Sequence, residues 1–181
     1  MRIMRHAYKQ ILMGLSITSI LLGVSGFSAW AESPADFLKN MSGTWRGSGS
    51  IYISEKSKNS PLRCKITSVL DEVKKKLINE GKCATAQKKS RVTGSINYSD
   101  SDNKLTGSYF NALGDFVVTK SYGVVSGPVM TLHTTFLNEA IGKVSRVRNV
   151  VTQISDTEYR VDIFEKTKGT YEPRGSITFT K

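Results

Sequence analysis

The segment KVSRVRNVV, residues 143–151, contains the side chains best suited to hold an anionic group. Alternate residues of a strand point to opposite faces, so Arg146 and Arg148 would share one face with Val144 and Val150. Two guanidinium groups on one face can hold a carboxylate or a phosphate by paired hydrogen bonds. The opposite face consists of Val147, Asn149 and Val151. That face is at least as apolar, so we expect the two arginines to point outward. They are candidate ligand-binding residues only if their own face lines the barrel.

The remaining reactive side chains do not form a catalytic set in the sequence. One histidine, His133, lies beyond residue 31, so neither Ser-His-Asp nor Cys-His chemistry has a complete set. Asp162 and Glu165 could exchange protons with a substrate, but charges on a late strand are more typical of a solvated surface. Two thiols and one distant imidazole make a poor metal site. The sequence therefore predicts a non-catalytic protein without a metal or a cofactor.

The two cysteines, Cys64 and Cys83, are predicted to form a disulfide. An even number of cysteines in an exported chain favours pairing, and the C-x-x-C spacing of a redox motif is absent from the sequence. The segment LDEVKKKLINEGKCA has a period that a helix could also produce. A hairpin that turns near residues 71–74 would place the thiols nearly opposite each other, whereas a helix would need further geometry to join them. The hairpin is therefore the favoured interpretation.

The first 31 residues have the composition of a cleaved secretory signal peptide. Three basic residues and no acid precede a long apolar run, and Ala29 and Ala31 supply small side chains at the A-x-A spacing that signal peptidase requires. A membrane anchor is the alternative, but the run is close to the shortest that spans a bilayer and contains Gly and Ser. We expect cleavage near Ala31, a periplasmic or secreted product over 32–181, and no transmembrane segment in that product.

The mature chain has a net charge of about +8, because the overall charge of +11 includes three basic residues of the leader. Such a charge favours anionic partners such as lipid head groups, acidic polysaccharides or nucleic acids. Short basic clusters occur at VKKKL (73–77) and KKSR (88–91), without the interleaved aromatic residues of a nucleic-acid platform. Nucleic acid is therefore not expected as a partner, and a solvated basic surface is the simplest interpretation.

Most of the mature chain alternates between apolar and polar residues, which is typical of strands. Before this pattern, Ser33, Pro34 and Asp36 have the spacing of a helix start, and Gly43 ends a short helix. Turn signals such as SDSDNK and YEPRG divide the rest into roughly ten short strands. This regular spacing predicts antiparallel hairpins in a single all-β domain over 32–181, closed as a barrel or packed as a sandwich.

The alternation also predicts which side chains share a face. The sets expected to align are Leu62, Cys64 and Ile66; Met130, Leu132, Thr134 and Phe136; Tyr159, Val161 and Ile163; and Ile177 and Phe179. In RVTGSINY, Val92 is expected to face away from Ile96 and Tyr98. His133 lies opposite its apolar neighbours, so it points away from whatever they pack against.

Trp45 stands in MSGTWRGSGSIYIS, after the helix and at the start of the first strand. A closed meander barrel needs a plug at this end, and a short helix, a glycine and a large aromatic residue supply one. The segment resembles the G-x-W start of lipocalin-like (calycin) barrels, with Gly43 and Trp45 as matching residues. Together with EYRVDIFEK and ITFTK near the end of the chain, it is also similar to small bacterial lipocalin-like domains and nitrobindin-type barrels. The motif covers a few residues, whereas the likeness in architecture covers most of the mature chain.

This resemblance implies an antiparallel meander β-barrel of about eight to ten strands with Trp45 as a buried plug. It also implies a basic residue packed on that tryptophan, for which Arg174 is the candidate. Fatty-acid-binding calycins hold head groups with inward arginines, a role that would fall to Arg146 or Arg148. Nitrobindin-type barrels bind haem through a histidine nearer the C-terminus, which makes His133 the residue to consider here.

The leading functional prediction is non-catalytic binding of a small hydrophobic or amphipathic ligand inside the barrel. The alternative is an envelope protein whose basic surface contacts anionic polysaccharide or lipid head groups. Salt separates the two, because surface binding weakens at high ionic strength and buried binding does not. Haem binding is the third prediction, and it requires a Soret band that is lost in His133→Ala.

Overall fold

In the computed structural model, residues 33–52, 59–99, 101–102, 104–108, 117–138 and 142–181 are described, and they form a closed antiparallel barrel. The elements are α1 Pro34–Asn40, β1 Gly43–Tyr52, β2 Asn59–Asp71, β3 Lys76–Ala84, β4 Lys89–Tyr98, β5 Lys104–Ser108, β6 Val117–Ser126, β7 Val129–Asn138, β8 Lys143–Ser155, β9 Glu158–Thr167 and β10 Thr170–Thr180. Each strand pairs with the next along the chain, and β10 returns to β1. The predicted all-β meander barrel with a short N-terminal helix is confirmed. The predicted signal peptide, residues 1–31, lies outside the described residues.

The short helix α1 begins as its sequence predicts. The Ser33 hydroxyl accepts a hydrogen bond from the Asp36 amide at 3.1 Å and donates one to the Asp36 carboxylate at 2.6 Å, and Pro34 occupies the first turn. Phe37 and Leu38 are fully buried in the same apolar cluster as Trp45. Seven residues would not hold a helix in water, so burial of this face is what stabilises it.

Strand alternation fills the barrel as predicted. The interior faces include Leu62, Cys64 and Ile66 on β2; Met130, Leu132, Thr134 and Phe136 on β7; Tyr159, Val161 and Ile163 on β9; and Ile177 and Phe179 on β10. The prediction for β4 was wrong, because Val92 and Ile96 are both fully buried on the same face. The pairing of β3 with β4 runs without a register shift, so no bulge moves Val92 to the other side.

Two glycines of β1 allow the barrel wall to close tightly. A Cβ atom on Gly47 would lie 2.5 Å from the Phe179 ring, and one on Gly49 would lie 2.0 Å from the carbonyl oxygen of Ser176. Any side chain at these positions would collide with β10, the strand that closes the barrel onto β1. The two glycines therefore allow β1 to pack closely against β10, and they do not form a loop.

An aromatic plug fills the end of the barrel that α1 covers. The Trp45 ring meets Tyr159 edge-on at 4.6 Å, and Tyr159 stacks on Phe179 at 4.8 Å. The indole N–H of Trp45 donates to the backbone oxygen of Met41 at 2.8 Å, which ties the plug to the chain that follows α1. Trp45 is 1% exposed and is part of the buried apolar cluster.

The cation packed on Trp45 is Lys181, and the prediction of Arg174 was wrong. The Lys181 ammonium lies 4.7 Å from the Trp45 ring centre. Arg174 lies at a β-bulge between Pro173 and Gly175, toward the opposite end of β10. An extended strand rises about 3.3 Å per residue, so Arg174 lies too far along β10 to reach the plug. Gly43, the other predicted plug residue, starts β1 beside Lys181.

Candidate functional site

The end of the barrel opposite α1 has a polar interior, which we call the lumen mouth. Its inward residues lie at one level on neighbouring strands. Thr134 pairs with Ser121 on one side and with Val147 on the other. Val147 in turn pairs with Glu165. The Ser121 hydroxyl donates to the Thr134 hydroxyl at 3.2 Å. Thr134 is 3% exposed, so this polar level lies inside the barrel rather than on its rim.

An ion pair stands in the same mouth. Arg174 donates through Nε to Glu165 at 3.0 Å and through a terminal nitrogen to the Thr167 hydroxyl at 3.1 Å. The side chains of Arg174 and Glu165 are 12% and 26% exposed, so the pair is largely shielded from solvent. The bulge at Arg174 turns this side chain inward, and the two charges cancel. The described residues of the mouth therefore offer hydrogen-bonding groups, and this ion pair adds no net charge to them.

Asn149 lies one level deeper on β8, between Leu132 of β7 and Ile163 of β9. The residue is 3% exposed, so its amide lies in the barrel interior. Native proteins usually satisfy buried amides with protein, water or ligand. Asn149 is therefore an interior position that could hydrogen-bond to a polar group of a ligand.

Arg146 and Arg148 point away from the lumen. Val147, Asn149 and Val151 form the inward face of β8, and Arg146 is exposed on the outside. The condition under which the two arginines would bind a ligand inside the barrel is therefore not met. The more apolar face of β8 is buried because it supplies more apolar surface to the core.

On the outer surface, Arg148 lies in an aromatic stripe that crosses five strands. Tyr122, His133, Arg148 and Phe164 are directly paired across β6 to β9. The guanidinium of Arg148 stands 4.7 Å from the Phe164 ring centre and 4.6 Å from that of Tyr171. We call these five residues the outer aromatic stripe. Their rings hold the guanidinium in a fixed position on the surface.

His133 belongs to this stripe and not to the lumen, as its alternation predicted. Its ring stacks on Tyr122 at 5.1 Å, and Nδ1 lies 3.3 Å from the Tyr171 hydroxyl. Burial lowers the pKa of His133 below its ordinary value of 6.5, and the nearby positive charge of Arg148 lowers it further. A haem inside the barrel could not reach this imidazole, because it lies on the other side of the wall.

Asp162 and Glu165 are separated by the wall of the barrel. Asp162 lies outside, where it accepts hydrogen bonds from Arg160 at 2.9 Å and Ser176 at 2.7 Å. Glu165 points inward to Arg174. The two carboxylates therefore cannot act together on one substrate. Among the described residues, no group of three or more His, Cys, Asp or Glu is placed to hold a metal ion.

The predicted disulfide is confirmed, and so is its hairpin. Cys64 of β2 pairs directly with Cys83 of β3, with Cα atoms 4.1 Å apart, and the chain turns between Asp71 and Lys76. Both half-cystines point into the core. The described part of the chain includes no helix that is long and apolar enough to span a membrane.

A row of cations crosses the outer wall of β1 to β4, and the sequence did not reveal it. Arg46 pairs with Lys65, Lys65 with Lys82, and Lys82 with Arg91. In the adjoining row, Arg63 and Lys89 flank Ala84. We call these six cations the basic face. They are far apart in sequence, and only strand register brings them together.

Comparison with known proteins leaves the family of this chain open. No family model matches the chain, and no curated protein matches it. A solved structure titled "Structure of EF1p2_mFAP2b bound to DFHBI" is similar over 82% of this chain and 99% of that chain, with 11% identity and a TM-score of 0.45. That similarity is too distant to bear on what this chain binds.

Proposed function

We propose that this protein is a non-catalytic, lipocalin-like barrel that holds one small amphipathic molecule in its lumen. The observation that carries the proposal is the polar side chain of Asn149, which lies inside the barrel at 3% exposure, just below the lumen mouth. A ligand would place a hydrogen-bonding group at this amide and at the hydroxyl of Thr134. Its apolar part would contact the side chains deeper in the barrel.

Three features support this assignment. The plug formed by α1 and Trp45 closes one end of the barrel, so we assign ligand entry to the lumen mouth. Ten strands enclose a wider interior than the eight-stranded barrels that already hold one small ligand. The interior below the mouth is apolar, as ligand sites of this kind usually are.

We further propose that the protein is exported and acts in an oxidising compartment outside the cytoplasm. The Cys64–Cys83 disulfide supports this location, because such bonds persist where thiols are not kept reduced. Recovery of the protein from the periplasm or medium, with an N-terminus near Glu32, is the expected result. A full-length chain that stays in the cytoplasm would contradict the proposal.

Native mass spectrometry of the protein purified gently from its own source tests the ligand directly. A reproducible added mass at one equivalent supports the proposal and gives the class of ligand. The amphipathic dye 1-anilinonaphthalene-8-sulfonate provides a second test by fluorescence titration, with one saturable site expected. A bare mass together with no saturable dye binding would overturn the proposal.

Matched variants locate the site. Asn149→Leu removes the amide at nearly constant volume and should weaken dye binding by about fivefold, the value of one net hydrogen bond. Asn97→Leu makes the same change on the outer face of β4, where the residue is exposed, and should leave binding unchanged. Equal binding by the parent protein and both variants would place the site elsewhere and would refute the assignment to Asn149.

A further inference from the structure

The basic face has an arrangement of charge that folding alone does not favour. Lys65 and Lys82 are directly opposite each other, with Arg46 and Arg91 as the next residues on either side. Like charges directly opposite on neighbouring strands destabilise a sheet. Neighbouring strands lie about 4.8 Å apart, so the backbones of four basic residues follow one another at that spacing across the barrel wall.

Within the described part of the chain, few acids neutralise the charges of this face. The adjoining row toward the plug contributes one acid, Glu80, which lies 4.0 Å from Arg91. Among the described residues, no ion pair joins Arg46, Lys65 or Lys82 to an acid. All six cations of the face are exposed. The face therefore presents a concentrated positive potential to solvent.

A surface groove follows the same residues. It has a volume of about 520 Å³, and five of the six cations line it, together with both half-cystines. The lining cations are Arg63, Lys65, Lys82, Lys89 and Arg91. The disulfide joins β2 to β3 at this position, so it holds two of the three strands that line the groove in fixed register.

We propose that the basic face binds a linear anionic polysaccharide, whose negative groups lie along the groove and across the strands. A repeating charge matches the regular row of cations better than a single small anion does. This site is separate from the lumen site, since its side chains are on the outside of β1 to β4. Its function is thus independent of the small ligand proposed above.

The composition of the face distinguishes this partner from two other polyanions. Nucleic acid sites interleave aromatic rings with the cations so that bases can stack, and these two rows contain no aromatic residue. Surfaces that enter a bilayer usually add exposed apolar side chains, and the six cations have only Ala84 between them. A concave groove also suits a chain better than a flat membrane.

Fluorescence anisotropy with labelled heparin and labelled polygalacturonate, one sulfated and one carboxylated linear polymer, tests the proposal on the purified protein. We expect binding of at least one of them at low ionic strength and loss of binding near 0.5 M salt, where the Debye length is only about 4 Å. The double variant Lys65→Gln/Lys82→Gln should weaken binding by about tenfold or more, since it removes the centre of the row.

The control is Lys143→Gln/Lys166→Gln, which removes the same net charge from exposed positions on β8 and β9. It should change the affinity by less than about twofold, because those lysines are distant from the groove. Circular dichroism checks folding, and the Lys65→Gln/Lys82→Gln variant should unfold at a higher temperature than the parent, since it relieves repulsion. Loss of binding in that variant is then not a result of unfolding.

Three results would overturn the proposal. The first is no binding of either polysaccharide by the parent protein at low ionic strength. The second is an equal loss of affinity in both double variants, which would show that net charge rather than this face is responsible. The third is tighter binding to a single-stranded oligonucleotide or to phosphatidylglycerol vesicles than to both polysaccharides, which would assign the face to another class of partner.

Discussion

Lys181, at the end of the chain, places its ammonium 4.7 Å from the centre of the Trp45 ring at the start of β1. The last residue thus covers the aromatic plug from the solvent side, while Tyr159 and Met41 contact it from within. The two ends of the barrel sequence meet here because β10 pairs with β1. The contact between Trp45 and Lys181 therefore links the first strand, β1, to the residue that follows the last strand, β10.

The plug predicts a large loss of stability for one substitution and a small one for another. Trp45→Ala should lower the free energy of unfolding by about 3–5 kcal/mol, because it empties a fully buried aromatic site. Lys181→Met retains most of the packing and should cost less than about 1 kcal/mol, the value of an exposed cation–π contact. Urea denaturation of both variants measures the two effects. A negligible change in Trp45→Ala would contradict the plug role.

The disulfide predicts that the folded protein has no reactive thiol. Labelling with a maleimide in the absence of reductant should leave Cys64 and Cys83 unmodified. Cys64→Ala/Cys83→Ala should lower the free energy of unfolding by about 3 kcal/mol, because the open chain gains freedom in the unfolded state. Labelling of the native protein would show that the bond is not formed.

His133 predicts a dependence of stability on pH. Its pKa is below 6.5 in the folded state, so the unfolded chain binds the proton more tightly. The contribution of the neutral imidazole to stability is therefore complete above pH 6.5 and is lost as the pH falls through the folded-state pKa. In His133→Gln, the denaturation midpoints measured at different pH values should no longer show this contribution to the pH dependence.

Nuclear magnetic resonance can follow the His133 ring directly. The midpoint of its titration should lie below 6.5, and Arg148→Met should raise it because a nearby positive charge is removed. A midpoint at or above 6.5 in the parent protein would contradict the outer aromatic stripe as described.

The buried position of Asn149 predicts that its polar side chain lowers the stability of the ligand-free protein. In the ligand-free protein, Asn149→Leu should raise the free energy of unfolding by about 1 kcal/mol, because an apolar side chain of similar volume replaces a polar amide at a buried position. Together with the expected loss of dye binding, this would separate ligand binding from folding. Destabilisation by Asn149→Leu would indicate that the amide is satisfied within the folded protein.

The ion pair between Arg174 and Glu165 predicts that substitutions of the two residues have non-additive effects on stability. Arg174→Met leaves a shielded carboxylate without its partner and should cost about 2 kcal/mol, less than for a fully buried pair because Glu165 is partly exposed. Adding Glu165→Gln should recover part of this loss. A double-mutant cycle measures the coupling energy, and simple additivity would show that the contact contributes nothing.

The sequence could predict features that depend on neighbours along the chain. The cap at Ser33, the turn between the cysteines and the inward face of β7 follow from local spacing, and each is present in the structure. The prediction for Val92 was wrong, because Val92 and Ile96 are four residues apart and an even spacing places both on one face of a regular strand. These features need only strand period and turn chemistry, so the amino-acid sequence suffices to derive them.

Predictions that depend on comparing the two faces of a strand, or the two ends of the barrel, were harder to make from the sequence. Arg174 and Lys181 are both basic and both follow β9, and only the bulge and the register of β10 show which one reaches Trp45. The inward direction of β8 was decided by competition between two similar faces. The free energy difference between such faces comes from the whole core, which a single strand does not contain.

The sequence by itself thus determined a disulfide-linked, all-β meander with a helix and an aromatic plug, because periodicity and cysteine spacing are properties of short segments. Only the tertiary structure decided that Asn149 lies buried below the lumen mouth and that Arg46, Lys65, Lys82 and Arg91 stand side by side. These residues are separated along the chain. Barrel closure and strand register bring them together, and both are set by the sum of long-range contacts.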